Sequence, residues 1–327
     1  MNAAVNIRTW VIAPDLAGTR QQCMGVAERL QCDTQLIVPH LRQPWQILSP
    51  WGWPSRFMLK NPGAFAPPWP DLVIASGRAA VLPARYIKKK AGHASFVVFI
   101  QNPRINPDCF DLVAAPAHDG LKGDNVITTT AAPNAITEAK LTQARSDFGA
   151  TLGHLPRPRV AVLIGGNSKT HSLTQSRMRD IATQLRGLAD SHGAGLMITT
   201  SRRSPEGTDR ILRESLSGSG AFIWDGTGDN PYMGMLAMAD HILVTEDSTS
   251  MLAEAASTGT PVYRIPLAGG SSKFNRLYAN LEASGAVREF RGQLEHWTYT
   301  PLDDAGLVAR AIQENLACAD HSHHSRD

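Results

Sequence analysis

The fold of this chain is decided by one stretch, residues 241–263, with the sequence HILVTEDSTSMLAEAASTGTPVY. An apolar strand leads directly into a cluster of acid and hydroxyl side chains that begins at Glu246. A helix follows and ends at Gly259, and a second strand begins after Pro261. This strand–helix–strand order is typical of a parallel α/β sheet. It also directs hydroxyl groups and the free N–H groups of a helix start to one place, which suits a phosphate or diphosphate.

Short apolar runs rich in β-branched residues alternate with helix-like segments along the whole chain. The alternation predicts parallel sheets that are covered by helices on both faces. The predicted strands are residues 9–13, 35–38, 72–75, 95–100, 112–115, 126–129, 160–164, 196–199, 221–224, 242–244 and 262–265. The segment PRPR at residues 156–159 is typical of a linker. We therefore predict two Rossmann-like, doubly wound α/β domains, residues 1–150 and 151–327, with ligands bound in a cleft between them.

The composition is that of an ordinary globular protein and excludes several functional classes. A net charge of +3 over 327 residues is too small to indicate nucleic-acid binding. The four cysteines show neither metal-binding nor disulfide spacing, which favours a reducing cytoplasm. No apolar run reaches the roughly 18 residues of a membrane span, and the first residues do not resemble a signal peptide. We expect a cytoplasmic protein with at most peripheral contact with the inner membrane.

Residues 44–70 interrupt the alternation and form a proline-rich aromatic segment. Proline prevents a regular helix here, so we predict a loop. Its rings either pack on the first domain, which we favour, or form a mobile element that contacts an acceptor or a membrane surface, aided by Lys88–Lys90. The aromatic side chains are Trp45, Trp51, Trp53, Phe57, Phe65 and Trp69.

Two loops at strand ends of the second half carry groups that suit a phosphate. Gly165 and Gly166 follow the first strand of that half, where paired glycines allow the backbone to approach a ligand. With Asn167 and a Lys-Thr pair behind them they approach a Walker loop, but the glycines that this motif requires are missing. A tight turn is the alternative. Arg202 and Arg203 follow the next strand, and their guanidinium groups suit phosphate oxygens.

The opening stretch supplies the central contacts of the predicted donor site. Ser248, Thr249 and Ser250 would lie at the phosphate end, although Ser248 could instead be a plain helix cap. Ser250 and Glu254 are four residues apart and share a helix face. We expect Glu254 to accept hydrogen bonds from the vicinal hydroxyls of a ribose.

Three further residues are predicted at the same edge of the second domain. Glu246 and Asp247 stand at the end of the strand, but the sequence assigns them no individual role. Asn230 belongs to a Gly-Asp-Asn-Pro loop, which indicates a shaped turn against which a base or ribose could rest. A simple connection is the alternative for this loop.

Polar loops also follow four strands of the first half and predict an acceptor site on one rim. Asp15 follows the first strand, and His118 and Asp119 follow the fifth. These three residues are the candidates for an acid or base, and helix capping or an ordinary loop position is the alternative. The other predicted acceptor-side residues are Gly18, Arg78 and Arg104.

Together these motifs resemble the GT-B superfamily of nucleotide-sugar enzymes and, more closely, the ELM-type mitochondrial-fission family, over nearly the whole chain. The most specific motif is VTEDSTSM at residues 244–251. The other motifs are Asp15…Gly18…Gln22, Ser76-Gly-Arg78, Asn102-Pro-Arg104, Phe110-Asp-Leu-Val…Pro116…His118-Asp119, Ile164-Gly-Gly166 and Thr199-Thr-Ser-Arg-Arg203. Relatives carry Gly-His in the first loop, whereas this chain has Gly18-Thr19. The departure moves the predicted base to the three candidates above.

The resemblance implies two Rossmann-like domains facing each other, with the last helix (roughly residues 303–319) packed on the first. Bacterial members are described as predicted glycosyltransferases or sugar-nucleotide epimerases, and the plant member as a scaffold that recruits a dynamin-type GTPase to the mitochondrial outer membrane. We therefore expect a metal-independent glycosyltransferase with a nucleotide-sugar as substrate and no separate cofactor. A lipid-linked or cell-envelope compound is one candidate acceptor. An epimerase and a non-catalytic scaffold are the alternatives.

Overall fold

The computed structural model describes the backbone of residues 7–324 and the side chains of residues 7–318. This part of the chain divides into two compact units. The first unit contains the described residues up to Ala135 and those from Asp303 onward, and the second spans Ile136–Leu302. The sequence-based boundary near residue 150 therefore lies inside the second unit.

Tertiary contacts explain where the chain divides. Arg145, which precedes the expected boundary, donates from Nε to the carbonyl of Ala237 at 2.9 Å. Phe148 packs so closely on Gly234 that a Cβ there would lie 2.6 Å from the ring. At the other end, the Asp304 carboxylate accepts hydrogen bonds from the backbone N–H groups of residues 130 and 131, both at 2.9 Å. Long-range contacts of this kind cannot be read from local composition.

Each unit contains one six-stranded parallel sheet. The strands of the first unit are β1 (Arg8–Ile12), β2 (Asp33–Ile37), β3 (Leu72–Ser76), β4 (Phe96–Ile100), β5 (Leu112–Pro116) and β6 (Val126–Thr129). Those of the second are β7 (Arg159–Ile164), β8 (His171–Ser172), β9 (Gly195–Thr200), β10 (Phe222–Ile223), β11 (His241–Thr245), β12 (Val262–Ile265), β13 (Ala268–Gly269) and β14 (Val287–Glu289). The sheet orders are β2-β1-β3-β4-β5-β6 and β10-β9-β7-β11-β12-β14, and β8 and β13 form a separate antiparallel pair.

Helices follow most of the parallel strands. In chain order they are α1 (Ala17–Leu30), α2 (Trp45–Leu48), α3 (Val81–Ala91), α4 (Glu138–Asp147), α5 (Gly149–Leu152), α6 (Gln175–His192), α7 (Thr208–Ser215), α8 (Tyr232–Met238), α9 (Thr249–Ala256), α10 (Ser272–Ala283) and α11 (Asp304–His324). Helix α11 belongs to the first unit, where it contacts α1. None of the helices, as far as the chain is described, is long and apolar enough to cross a membrane.

The first sheet is buried on both faces, as alternate residues of β1 demonstrate. Trp10 and Ile12 join a cluster that includes the apolar residues of α3. Val11 joins the opposite cluster, together with Val26 of α1 and Val308 of α11. Burial of each such side chain stabilises the fold by about 1.5–3 kcal/mol. Coverage of both faces explains why central strands such as β3 and β4 are apolar along nearly their whole length, without a polar alternation.

The structure confirms the predicted fold class and contains all eleven predicted strands. The stretch at residues 241–263 forms β11, α9 and the start of β12, with Ile242 opposite Val262. All five residues of β11 are buried between β7 and β12. The sequence analysis missed β14 and the β8–β13 pair, because these strands are too short to show a period.

Some rings of the aromatic segment pack on the first unit, and others are exposed. Phe65 is buried, and Trp69 packs edge-on against Trp10 at 6.2 Å between ring centroids. In contrast, Trp53 is 80% exposed and Phe57 is 77% exposed. The favoured prediction, that the rings pack on the first domain, is therefore right for only part of the segment.

Candidate functional site

Three loops of the second unit meet at the buried carboxylate of Asp247. They follow β7, β9 and β11, which are neighbours in the sheet. Oδ2 of Asp247 accepts from the Gly166 N–H at 2.9 Å and from Nη2 of Arg203 at 3.0 Å. Oδ1 accepts from the Thr245 hydroxyl at 2.8 Å. The loops that the sequence placed at one edge are thus bound to each other through a single side chain.

The glycine pair is required by the packing of the protein itself. A Cβ on Gly165 would lie 2.3 Å from Oδ1 of Asp247, and one on Gly166 would lie 2.0 Å from the carbonyl oxygen of Arg203. The Gly165 N–H donates to the Thr245 hydroxyl at 2.7 Å. Asn167 is also engaged, because its Oδ1 accepts from the Leu173 N–H at 2.8 Å. These backbone N–H groups therefore organise the loop and do not face outward.

Glu246, which follows β11, binds residues of the neighbouring strand β12 and of the segment after it. Its Oε1 accepts from the Leu267 N–H at 2.7 Å, and its Oε2 pairs with Arg264. Nη2 of Arg264 also pairs with Glu282 at 3.2 Å and with Glu289 at 3.1 Å. The sequence predicted Glu246 and Asp247 among the donor-binding residues. In the structure both carboxylates are buried and their hydrogen-bond partners belong to the protein.

The start of α9 presents unpaired backbone N–H groups. Ser248 occupies the N-cap position, but its side chain makes no capping hydrogen bond. The first N–H with a helical partner is that of Leu252, which donates to the Ser248 carbonyl at 3.1 Å. The N–H groups of Thr249, Ser250 and Met251 precede it, as the first turn of any helix requires. Within the described chain they have no other acceptor.

Glu254 lies one helical turn beyond Ser250 and is held by Tyr232. The Tyr232 hydroxyl donates to Oε2 of Glu254, whereas Oε1 has no partner in the described part of the chain. Burial raises the pKa of Glu254, and the Tyr232 hydrogen bond acts in the opposite direction. Burial, reinforced by the nearby Glu254, raises the pKa of Tyr232 well above its usual value. The sequence analysis missed Tyr232, although the Asn-Pro-Tyr order of the loop was its signal.

Asn230 shapes the loop that supplies Tyr232. Its Oδ1 accepts from the Tyr232 N–H at 3.0 Å, which fixes the first turn of α8. Asn230 thus positions the tyrosine, and through it Glu254. This loop is a shaped turn, as the sequence indicated.

The two arginines after β9 differ in their contacts. Arg203 is bound to Asp247 through Nη2, while 47% of its side chain remains exposed. Its other guanidinium N–H groups lack partners within the described residues. Arg202 is exposed and makes no ion pair there. Arg203 is therefore the arginine with an observed anchor beside α9.

The catalytic candidates of the first unit lie in two places. Asp15 follows β1, pairs with Arg20, and has 76% of its side chain exposed. His118 and Asp119 form a 3₁₀ turn after β5, with Nε2 and Oδ1 separated by 3.9 Å and both side chains largely buried. Asp15 is thus the most accessible of the three.

The predicted acceptor-side residues lie in three different places in the first unit. Gly18 lies in the first turn of α1, and Arg104 has a positive φ of 61° in the loop after β4. Arg78 lines a cavity of about 470 Å³, but its Nη2 donates to the Ile47 carbonyl at 2.6 Å and its Nε to the Ser49 carbonyl. Its main observed role is to hold the aromatic segment. In the described side chains, no three His, Cys, Asp or Glu residues are grouped as metal ligands.

Two Rossmann-like units, each built on a six-stranded parallel sheet, define a GT-B-like fold. Solved structures share this fold. The UDP-GlcNAc 2-epimerase of Methanocaldococcus jannaschii aligns with a TM-score of 0.53 and 12% identity, covering 94% of this chain and 99% of that one. MurG of Acinetobacter baumannii aligns with a TM-score of 0.50 and 13% identity, covering 94% and 90%.

The chain belongs to the mitochondrial fission ELM1 family, whose model matches residues 17–316. It is 32% identical over 283 residues to "Mitochondrial fission protein ELM1" of Arabidopsis thaliana, a match that covers 76% of this chain and 64% of that protein. It is 29% identical to "Uncharacterized protein RP120" of Rickettsia prowazekii, with 93% and 97% covered. The family resemblance inferred from the motifs is thus confirmed.

Proposed function

We propose that the second unit binds a nucleotide-sugar and that the protein transfers the sugar to an acceptor hydroxyl without a metal ion. The observation that carries this proposal is the start of α9, where three unpaired N–H groups lie beside the hydroxyls of Ser248, Thr249 and Ser250. A helix start of this kind binds phosphate because its N–H groups and dipole favour negative charge.

The same groups would stabilise the leaving group. When the bond between the sugar C1 and the diphosphate oxygen breaks, negative charge develops on the diphosphate. N–H donors fixed by the fold meet that charge without reorganisation. Arg203, oriented by Asp247, would contribute a guanidinium group from the neighbouring loop, and Arg202 is the second cation on that loop. Gly165 and Gly166 serve indirectly, by allowing the loops to approach each other.

Glu254 would bind the ribose of the donor. Its Oε1 is available to accept from a ribose hydroxyl, while Oε2 is oriented by Tyr232. The half-buried position strengthens such a hydrogen bond because water competes less there. Glu254 lies one helical turn beyond Ser250 on the same helix face, so the two residues can contact neighbouring parts of one ligand.

The acceptor would be activated from the first unit. We assign the general base to Asp15, because its carboxylate is exposed and can reach a hydroxyl supplied from solution. In this proposal the acceptor oxygen forms the bond to C1 and gives its proton to the general base. His118 and Asp119 are less accessible and would support the loop after β5.

An epimerase is the second candidate, favoured by the name of the M. jannaschii structure that shares the fold. The two activities differ in one requirement. An epimerase converts a nucleotide-sugar in the absence of an acceptor, whereas a transferase releases nucleoside diphosphate only when an acceptor is present. Analysis of the nucleotide-sugar after incubation with the full chain alone distinguishes them.

Thermal unfolding with a panel of UDP-, GDP-, ADP- and CMP-sugars tests the binding step. A ligand that binds only the native state raises the melting temperature. We expect at least one sugar nucleotide to raise it, and Glu254→Ala to remove the shift. The control is Glu314→Ala, an exposed acid on α11. A panel without any shift would contradict the donor site, and a shift retained by Glu254→Ala would contradict the ribose assignment.

A further inference from the structure

The exposed large apolar side chains of the described residues all belong to the first unit, and most of them lie close together in the sequence. Five of the eight lie within eleven residues of the aromatic segment. We call Ile47, Leu48, Trp51, Trp53 and Phe57 the aromatic patch; Trp51 is 68% exposed and Trp53 80%. Clusters of this kind on a folded surface mark a contact with a partner or a membrane.

The patch is presented by a well-anchored segment. The neighbours Met58 and Leu59 are fully buried, although Phe57 points outward. Arg85 Nη1 donates to the Gly52 carbonyl at 3.1 Å, and Arg78 holds the carbonyls of residues 47 and 49. The rings are therefore exposed by the fold and not by a failure to pack.

The sequence that contains the aromatic patch carries cations and no acids. Residues 34–70 contain Arg42, Arg56 and Lys60 and neither Asp nor Glu. All three cations are exposed and have no ion-pair partner among the described residues. The Arg42 N–H donates to the Met58 carbonyl at 2.7 Å, and the Lys60 N–H to the His40 carbonyl at 2.9 Å, so the backbones of residues 40–42 and 58–60 lie side by side. Residues 34–107 contain nine Lys and Arg and a single acid, Asp71, although the whole chain has a net charge of only +3.

We propose that this face of the first unit binds the surface of a bilayer that contains anionic phospholipid. Tryptophan and phenylalanine enter the interfacial region of a membrane, and neighbouring Lys and Arg bind acidic headgroups. A binding surface on another protein would not require the absence of acids over a whole segment. The proposal is independent of sugar transfer and extends to either candidate activity.

Vesicle co-sedimentation of the full chain tests the proposal. Vesicles of phosphatidylcholine mixed with phosphatidylglycerol are compared with phosphatidylcholine alone, and tryptophan emission reports insertion of the rings. We expect binding to the mixed vesicles, weakened by salt, with a blue shift of emission. Trp51→Ser/Trp53→Ser/Phe57→Ser should weaken binding at least about tenfold. Arg42→Ser/Arg56→Ser/Lys60→Ser should weaken it about 100-fold at low salt.

A matched variant controls for the loss of positive charge. Lys122→Ser/Arg179→Ser/Arg210→Ser removes three exposed cations elsewhere that have no ion-pair partner in the described part of the chain, and this variant should bind as the unaltered chain does. Circular dichroism establishes that each variant folds. Equal sedimentation with both kinds of vesicle, or full binding by the aromatic variant, would overturn the proposal. A dimer that the aromatic variant converts to monomer, without vesicle binding, would instead assign the patch to a second copy of the chain.

Discussion

Asp247 binds three loops of the second unit, so its removal should destabilise that unit more than the removal of an exposed acid does. In Asp247→Ala the buried N–H of Gly166 and the hydroxyl of Thr245 lose their acceptor. Each buried donor left without a partner costs about 1–3 kcal/mol. The contact with Arg203 adds little, because that side chain is half exposed and water replaces the carboxylate. With about 1.5 kcal/mol for each of the two donors, the expected loss is about 3 kcal/mol of unfolding free energy.

Urea unfolding measures this loss. With a slope of about 2 kcal/mol per molar urea, 3 kcal/mol corresponds to a midpoint lower by about 1.5 M. Hydrogen exchange at each urea concentration assigns the transition to residues 136–302. Asp247→Asn retains one acceptor oxygen and should lose an intermediate amount. Asp190→Ala, which removes a half-exposed acid paired with Arg186, should lose less than about 0.5 kcal/mol. A midpoint lowered by less than about 0.5 M in Asp247→Ala would refute the reasoning.

Three further predictions concern the same unit. Gly166→Ala should lower the unfolding free energy by about 2 kcal/mol or more, since its Cβ would lie 2.0 Å from the Arg203 carbonyl oxygen. Gly187→Ala in α6, which has open space around it, should instead raise the unfolding free energy by up to about 1 kcal/mol. Equal effects of the two substitutions in urea unfolding would contradict this difference. Burial lowers the pKa of His241 in the folded state, so the unfolded chain binds the proton more readily and stability should fall as pH drops below about 6.5. His241→Phe should show a shallower decline in urea midpoints between neutral and acid pH. An unchanged slope would exclude His241 as a cause of this loss of stability. Tyr232→Phe removes the hydrogen bond that lowers the pKa of Glu254, so NMR titration of the Glu254 carboxyl carbon should give a higher pKa than in the unaltered chain, and a lower value would contradict the assigned contact.

Strands and fold class could be predicted because their signals are local. A buried strand such as β11 is a run of apolar residues between polar loops, and this pattern is visible in the sequence. Parallel strands also place their following loops at one edge, so the convergence of Gly166, Arg203 and Asp247 follows from the fold.

The roles of Glu246 and Asp247 could not be predicted, because their partners are distant in the chain. Glu246 pairs with Arg264, 18 residues later, and Asp247 accepts from Gly166, 81 residues earlier. An acid in a loop looks available for a ligand until such partners are known. Tyr232 was missed for the same reason, since its contact with Glu254 spans 22 residues.

The position of α11 has a consequence for synthesis. Val308 and Ile312 complete the apolar face formed by Val26 of α1. On the ribosome, the residues up to 135 emerge before the second unit, but this face stays uncovered until α11 leaves the exit tunnel. The second unit is contiguous, from Ile136 to Leu302, and all of it is translated before α11 appears. The first unit therefore begins to be translated before the second unit but can complete its folding only after it. A chaperone that shields nascent apolar surface would act on α1 during that interval.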